Sequence, residues 1–315
     1  MIVNPPPTTA TLQDWPTDSV RGEWHAADGW AHRRYDRDGH GRGRLLLQAG
    51  RADMIEKYLE TLEHFHDRGW ATTAFDWRGQ GGSGRLGEGD IGHLDDFATL
   101  VADLAAFWRD WTAEGEGPHV LVCHSMGGFV ALQALVEAAI APDAVVLVAP
   151  MLGLRNPLGA WIGGGVARLL ASRGDVRRAA WRHGTTPRAI RDRQRRLTHD
   201  LTRFRDEQAW FDRDPALRLG PPSWGWIVQA FAATAALRND PRLGGVTTPV
   251  QMLVAEADQL VDARAALRVA ATLPNVEVLR FGTESAHEIL READPVRLRA
   301  LAAIDGFLDA EAPRR

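Results

Sequence analysis

Ser125 stands in LVCHSMGGFV, residues 121–130, where an apolar run passes through a polar residue and two glycines into a second apolar run. A serine lifted by a sharp strand-to-helix turn at the carboxyl edge of a sheet is a candidate nucleophile. The usual pattern around it is G-x-S-x-G. Here Cys123 takes the first glycine position, while Gly127 and Gly128 keep the helix side small. A buried thiol is a compact apolar group, so Cys123 is expected to alter the packing without removing the turn.

A serine hydroxyl attacks only when a base accepts its proton and a third group orients that base. Chains with this turn carry the partners in the order serine, carboxylate, histidine. Asp258, in the loop after VQMLVAEA, is the candidate acid; Glu256, nearer the strand, and Asp262, placed to cap the next helix, compete with it. His287, in GTESAHEIL, is the candidate base, because it alone of eleven histidines lies past the last strand in the required order. His124 adjoins Ser125, but neighbouring strand side chains point to opposite faces, so it is read as a packing or supporting residue. His64 and His66 lack metal-ligand companions. A developing oxyanion would need the backbone N–H of Met126 and a second N–H from LLLQAGRAD, where Arg51 follows Gly50. The Arg51 side chain has two readings, contact with an anionic head group or a solvated surface position.

These residues need elements to position them. GWAHRRYDRDG and GRGRLLLQAG predict two strands separated by a tight turn at Asp38 and Gly39. Ile55, Leu59, Leu62 and Phe65 predict a helix over 53–66, and Phe97, Leu100, Val101, Leu104 and Trp108 another over 94–111. WATTAFDW, HVLVCH, AVVLVAP, PVQMLVAEAD and VEVLRF are further strands, and helices are expected over 126–139 and 296–308. Continuous apolar strands alternating with helices imply an α/β fold, a mostly parallel central sheet with helices on both faces. The alternation stops over 151–238, which reads as an inserted helical cap. The expected division is an arm at 1–20, a core of 21–150 with 239–315, and the cap between. The glycine-rich RGQGGSGR lacks the lysine of a phosphate-binding P-loop.

The 315 residues carry 45% hydrophobic and 25% charged side chains, ordinary for a globular protein, and no apolar run reaches a membrane span. The start shows no secretory signal and a single cysteine forms no internal disulfide, so a cytoplasmic location is expected. The net charge of −4 hides an asymmetry. Thirteen arginines and three aspartates lie between Arg155 and Arg205, leaving 24 basic against 38 acidic residues elsewhere. That segment is either a patch for an anionic membrane surface, which would make the protein peripheral on the inner membrane face, or a solvated helical face. No nucleic-acid reading module accompanies it.

HSMGG, DWRGQGGSGR, GHLDDFATLVADLAAFW, DQLVD and AHEIL together resemble the bacterial lysophospholipases of the α/β-hydrolase superfamily, in the monoacylglycerol-lipase-like group. The resemblance runs from about Leu45 onward and extends into the cap through LTHDLTRFRDEQAWFDRDPALRLGPPSWGW. Two departures are Cys123 and Gln48-Ala49-Gly50, where many relatives carry His-Gly. The resemblance implies an α/β-hydrolase fold and ester hydrolysis through an acyl-enzyme, without metal or organic cofactor. Ser125 would attack, His287 would shuttle the proton and Asp258 would hold the imidazole. The implied substrate is a lysophospholipid or monoacylglycerol, with Trp161, Trp181, Trp210, Trp224 and Trp226 as candidates to line an acyl tunnel. A short-chain carboxylesterase and an aminopeptidase of the same fold are alternatives. So is a non-catalytic binding protein, which would lack one of the three residues.

Overall fold

The computed structural model describes residues 14–155, 160–182, 184 and 186–314. Its centre is an eight-stranded sheet. In chain order the strands are β1 (Val20–His25), β2 (Ala31–Arg37), β3 (Gly43–Gln48), β4 (Trp70–Phe75), β5 (His119–His124), β6 (Ala144–Val148), β7 (Val250–Ala255) and β8 (Val276–Phe281). In space they lie β1-β2-β4-β3-β5-β6-β7-β8. The first two pairings, β1 with β2 and β2 with β4, are antiparallel, and every later one is parallel.

The core helices are α1 (Leu59–Asp67), α2 (Ala98–Thr112) and α3 (Met126–Val136). Between β6 and β7 come α4 (Ala160–Ala171), α5 (Pro187–Leu197), α6 (Leu201–Arg213) and α7 (Trp224–Arg238), followed by α8 (Ala263–Ala270) and α9 (Asp294–Glu311). The strand period of two divides the core into two layers. Leu121 and Cys123 of β5 face the side of α2, α3 and α8, with Leu104, Phe129 and Val269. Val120 and Val122 face α1 and α9, with Leu62, Phe65 and Ile304. Both faces are covered, which is why the inner strands read as unbroken apolar runs.

Three local expectations change. β2 and β3 are not neighbours, because the link between them passes the start of β4, where His40 and Arg42 donate N–H bonds to the Gly69 carbonyl. The helix over 53–66 opens as a 3-10 turn, Ile55–Tyr58, before α1. β1 was not anticipated, since Trp24 is its one buried residue and an edge strand gives no alternation. The expected arm is held over its described part, where Trp15 packs on Tyr35 and Trp210 with ring centroids 5.7 and 6.1 Å away. Residues 1–13 lie outside the described residues. Among the described residues no helix is long and apolar enough to cross a membrane.

Candidate active site

β5 ends at His124 and α3 begins at Met126, so Ser125 makes the whole turn, with φ at +51°. A non-glycine residue held there stores about 1–3 kcal/mol of strain. Surrounding bonds hold it: the Ser125 N–H donates to Val148 O at 3.0 Å, and its carbonyl accepts from Met151 N at 2.9 Å. Close packing explains the glycine after it. A Cβ on Gly127 would come 2.6 Å from Ala49 O and 2.8 Å from Gln48 O. Cys123 needs no such space, because its fully buried side chain lies among the α2–α3 layer, and burial pushes its thiol well above the usual range.

The loop after β7 and the loop after β8 bring two side chains to Ser125. His287 Nε2 lies 2.9 Å from Ser125 Oγ, and His287 Nδ1 lies 2.5 Å from Asp258 Oδ2. The other Asp258 oxygen accepts backbone N–H bonds from Leu260 at 2.7 Å and Val261 at 3.0 Å. Burial pushes Asp258 up, but the His287 charge and these hydrogen bonds outweigh it and leave its pKa below the ordinary value. Burial pulls His287 down, and the carboxylate of Asp258, with Glu288 and Asp53 beyond, raises it overall. The two competing carboxylates are elsewhere. Glu256 pairs with Arg280 at the surface, and Asp262 caps α8 through Arg264 N at 3.0 Å.

Two backbone N–H groups are available beside Ser125. Met126 is the first residue of α3, so its N–H has no acceptor within the helix. In the loop after β3, Gly50 N donates to Asp53 Oδ2 at 2.9 Å and Ala52 N to Gln80 Oε1 at 2.5 Å. Arg51 N, between them, has no acceptor among the described residues. Gly50 must be bare, because an added Cβ would approach Ser125 Cβ to 3.0 Å. The glycine-rich DWRGQGGSGR braces this loop: Trp77 Nε1 donates to Ala49 O at 2.8 Å, and Asp76 accepts from Ile55 N at 3.0 Å.

Behind the site lies a buried ionic cluster that sequence reading missed. Lys57 Nζ donates to Glu288 Oε1 at 2.6 Å, pairs with Asp53, and lies 3.2 Å from Glu207 of α6. Arg193 of α5 holds Glu207 through two bonds of 2.8 and 2.9 Å, and Arg291 holds Glu288 at 2.7 Å. His124 joins the cluster to the site. Its Nδ1 is 2.8 Å from Tyr58 Oη and 3.2 Å from Asp53, and its Nε2 is 3.3 Å from the His287 carbonyl. The spacing of Asp53 and Lys57, one helical turn apart, was a visible signal; their distant partners were not.

Over the site the inserted helices enclose a cavity of about 890 Å³. Its wall includes Ser125 and His287 with Phe204, Phe211, Trp226 and Phe231. Trp181 and Trp226 line it, but Trp210 and Trp224 do not. Trp210 turns into the core against Trp15, while its neighbour Phe211 takes the cavity side. Trp224 precedes Trp226 by two positions, which places them about 200° apart around α7. The Trp161 side chain lies outside the described residues. Among the described residues no cluster of histidine, cysteine and acidic side chains could hold a metal ion.

A mostly parallel sheet with a strained serine at the end of its fifth strand, and a histidine and carboxylate delivered from later strand ends, defines an α/β-hydrolase. A family model described as serine aminopeptidase, S33, matches residues 39–294. Lysophospholipase L2 of Escherichia coli strain K12 is 31% identical over 277 residues, spanning 84% of this chain and 80% of that one. Probable lysophospholipase L2 of Haemophilus influenzae is 28% identical over 277 residues, spanning 85% and 84%. A soluble variant of monoglyceride lipase from Saccharomyces cerevisiae, solved with a substrate analog, shares the fold. Its TM-score is 0.71 at 20% identity, covering 93% of this chain and 97% of that one. The chain belongs to the serine aminopeptidase S33 family of α/β-hydrolases, in its lysophospholipase group, and is a carboxylic ester hydrolase.

Proposed function

We propose that this hydrolase cleaves the carboxylic ester of single-chain lipids, lysophospholipids foremost and monoacylglycerols next, through an acyl-enzyme on Ser125. One observation carries the reading: Ser125, His287 and Asp258 form a hydrogen-bonded row, and Ser125 and His287 open on a cavity that Phe204, Phe211, Trp226 and Phe231 also line. Ser125 Oγ bonds to the ester carbonyl carbon as its proton passes to His287 Nε2. The N–H groups of Arg51 and Met126 receive the oxyanion. The carbon–oxygen bond to the alcohol then breaks, and His287 returns the proton to that leaving group. Water repeats the sequence on the acyl-serine and releases the fatty acid. Asp258 stays ionised, fixing the imidazole tautomer and balancing its charge. The cavity is within the size range of small-ligand sites, and the named activities of the relatives support a lipid ester.

The family description also names an aminopeptidase. Binding a free amino terminus calls for unpaired carboxylates in the cavity. The buried ones lining it, Asp53 and Glu288, are already paired with Lys57 and Arg291. A panel of lysophosphatidylethanolamine, monoacylglycerol, p-nitrophenyl esters and aminoacyl arylamides decides between the readings. Fatty acid release from the lipids, lost in Ser125→Ala, is the expected result. Preferential release of arylamine would replace lipid hydrolysis with peptide hydrolysis.

A further inference from the structure

We propose that the Arg51 side chain is the phosphate-recognising group of this cavity, taking the phosphate ester of a single-chain phospholipid head group. The inference rests on the lipid-ester reading and adds to it the part of the substrate that the acyl cavity does not explain.

Arg51 lies beside the nucleophile by covalent necessity, because Gly50, the residue before it, abuts Ser125 Cβ. Its guanidinium sits over the Trp226 ring, 5.1 Å from the centroid, and Nη2 donates to Gly220 O at 2.8 Å. Nε is buried and has no partner among the described residues. No carboxylate of the described residues forms an ion pair with Arg51. The nearby cavity carboxylates are accounted for. Asp53 and Glu288 belong to the ionic cluster, where Lys57, Arg193 and Arg291 stand against Asp53, Glu207 and Glu288. Asp192 is exposed beside Arg188, and Asp90, which touches Gly220, is exposed as well. The cluster balances three cations against three anions and leaves Arg51 as an extra positive charge.

Burial alone moves the Arg51 pKa down to about 10, so the group remains cationic at neutral pH. A desolvated charge without a counter-ion is costly, and an incoming anion removes that cost. Guanidinium also suits phosphate through its planar array of donors. Phosphate and scissile ester share one glycerol in a lysophospholipid, so an ester carbonyl at the Arg51 and Met126 N–H groups brings the phosphate toward the Arg51 side chain. Arg196 and Arg218 also line the cavity without carboxylate partners among the described residues, which reinforces its positive potential.

The test compares kcat/KM for lysophosphatidylethanolamine and for a monoacylglycerol of the same acyl chain, in the full chain and in Arg51→Gln and Arg51→Lys. Loss of a charge-assisted contact should lower the phospholipid-to-monoacylglycerol ratio on the order of 10- to 100-fold in Arg51→Gln, with partial recovery in Arg51→Lys. A purely structural tether between the loop and Gly220 would slow both substrates alike and overturn the proposal. A second arm needs no variant: sn-glycerol 3-phosphate should competitively inhibit hydrolysis of a p-nitrophenyl ester, and glycerol should not. Equal inhibition by inorganic phosphate would assign the site to free phosphate and overturn the head-group assignment. A wild-type chain inactive on both lipids would remove the lipid-ester reading, while the inhibition arm would still judge Arg51.

Discussion

Ser125 is the most strained of the site residues, and its neighbours explain why it holds. Ser125→Ala and His287→Ala should each lower kcat on the order of 10⁴-fold or more with the fold retained, as read by ester turnover and circular dichroism. Asp258→Asn should fall on a similar scale, whereas Glu256→Gln should not, because Glu256 pairs outward with Arg280. The raised pKa of His287 sets the pH dependence. The base must be neutral, so kcat/KM should decline on acidification with a midpoint above the ordinary histidine value of about 6.5. The stability linked to this histidine runs the other way: it is complete below about 6.5 and fades as pH rises through the folded pKa. A limb centred below the ordinary value would contradict the charge environment. Cys123 is buried with a raised pKa, so mild alkylation should leave activity intact, and Cys123→Gly should keep activity within about tenfold.

At the scale of elements, the inserted helices are locked to the core by buried ion pairs. Lys57 beneath α1 meets Glu207 of α6, and Arg203 of α6 is fully buried against Glu60 and Asp294, at 2.7 and 2.8 Å. Removing one partner strands the others in a medium that solvates charge poorly. Lys57→Met should therefore cost about 3–5 kcal/mol in a urea titration, more than a surface pair, whose loss costs about 0–1 kcal/mol. If Lys57→Met unfolds at the wild-type midpoint, the cluster does not hold the inserted helices. His93 adds a further link, its Nδ1 2.8 Å from Ser223 Oγ before α7. That the 151–238 stretch is helical was legible in its composition. The docking of its helices was not, because a lysine or arginine in sequence looks alike whether it faces water or three carboxylates.

Across the whole molecule, the thirteen arginines of 155–205 do not form one group. Arg193 and Arg203 are held by carboxylates, so they belong neither to a patch for an anionic surface nor to a solvated face. Arg188, Arg191 and Arg195 of α5 remain exposed. Of the eight exposed large hydrophobics among the described residues, six lie between Val166 and Leu201, so exposed apolar and basic groups share this segment. Salt-sensitive binding to anionic vesicles is the expected outcome, weakened when Arg188, Arg191 and Arg195 are changed together to Gln. Arg196 is left out because it lines the cavity. Vesicle flotation at low and high salt reads the effect. Equal binding by parent and triple variant would make these arginines a solvated face.

The sequence by itself determined the parallel core, the elbow at Ser125 and the order of its partners, because each is written in local pattern: continuous apolar strands, a turn with small residues, and polar residues just past strand ends. It left Asp258, Glu256 and Asp262 in competition, since all three occupy one loop. Only the tertiary structure brought Asp258 to His287, sent Glu256 to Arg280 and gave Asp262 to the α8 cap. The spatial strand order, the divergence of Trp210 and Trp224 from the cavity, and the charge balance that leaves Arg51 without a carboxylate partner among the described residues were likewise decided in three dimensions. Each depends on which distant side chains meet, and contacts such as Lys57 with Glu207 and Glu288, 150 and 231 residues apart, leave no periodic trace along the chain.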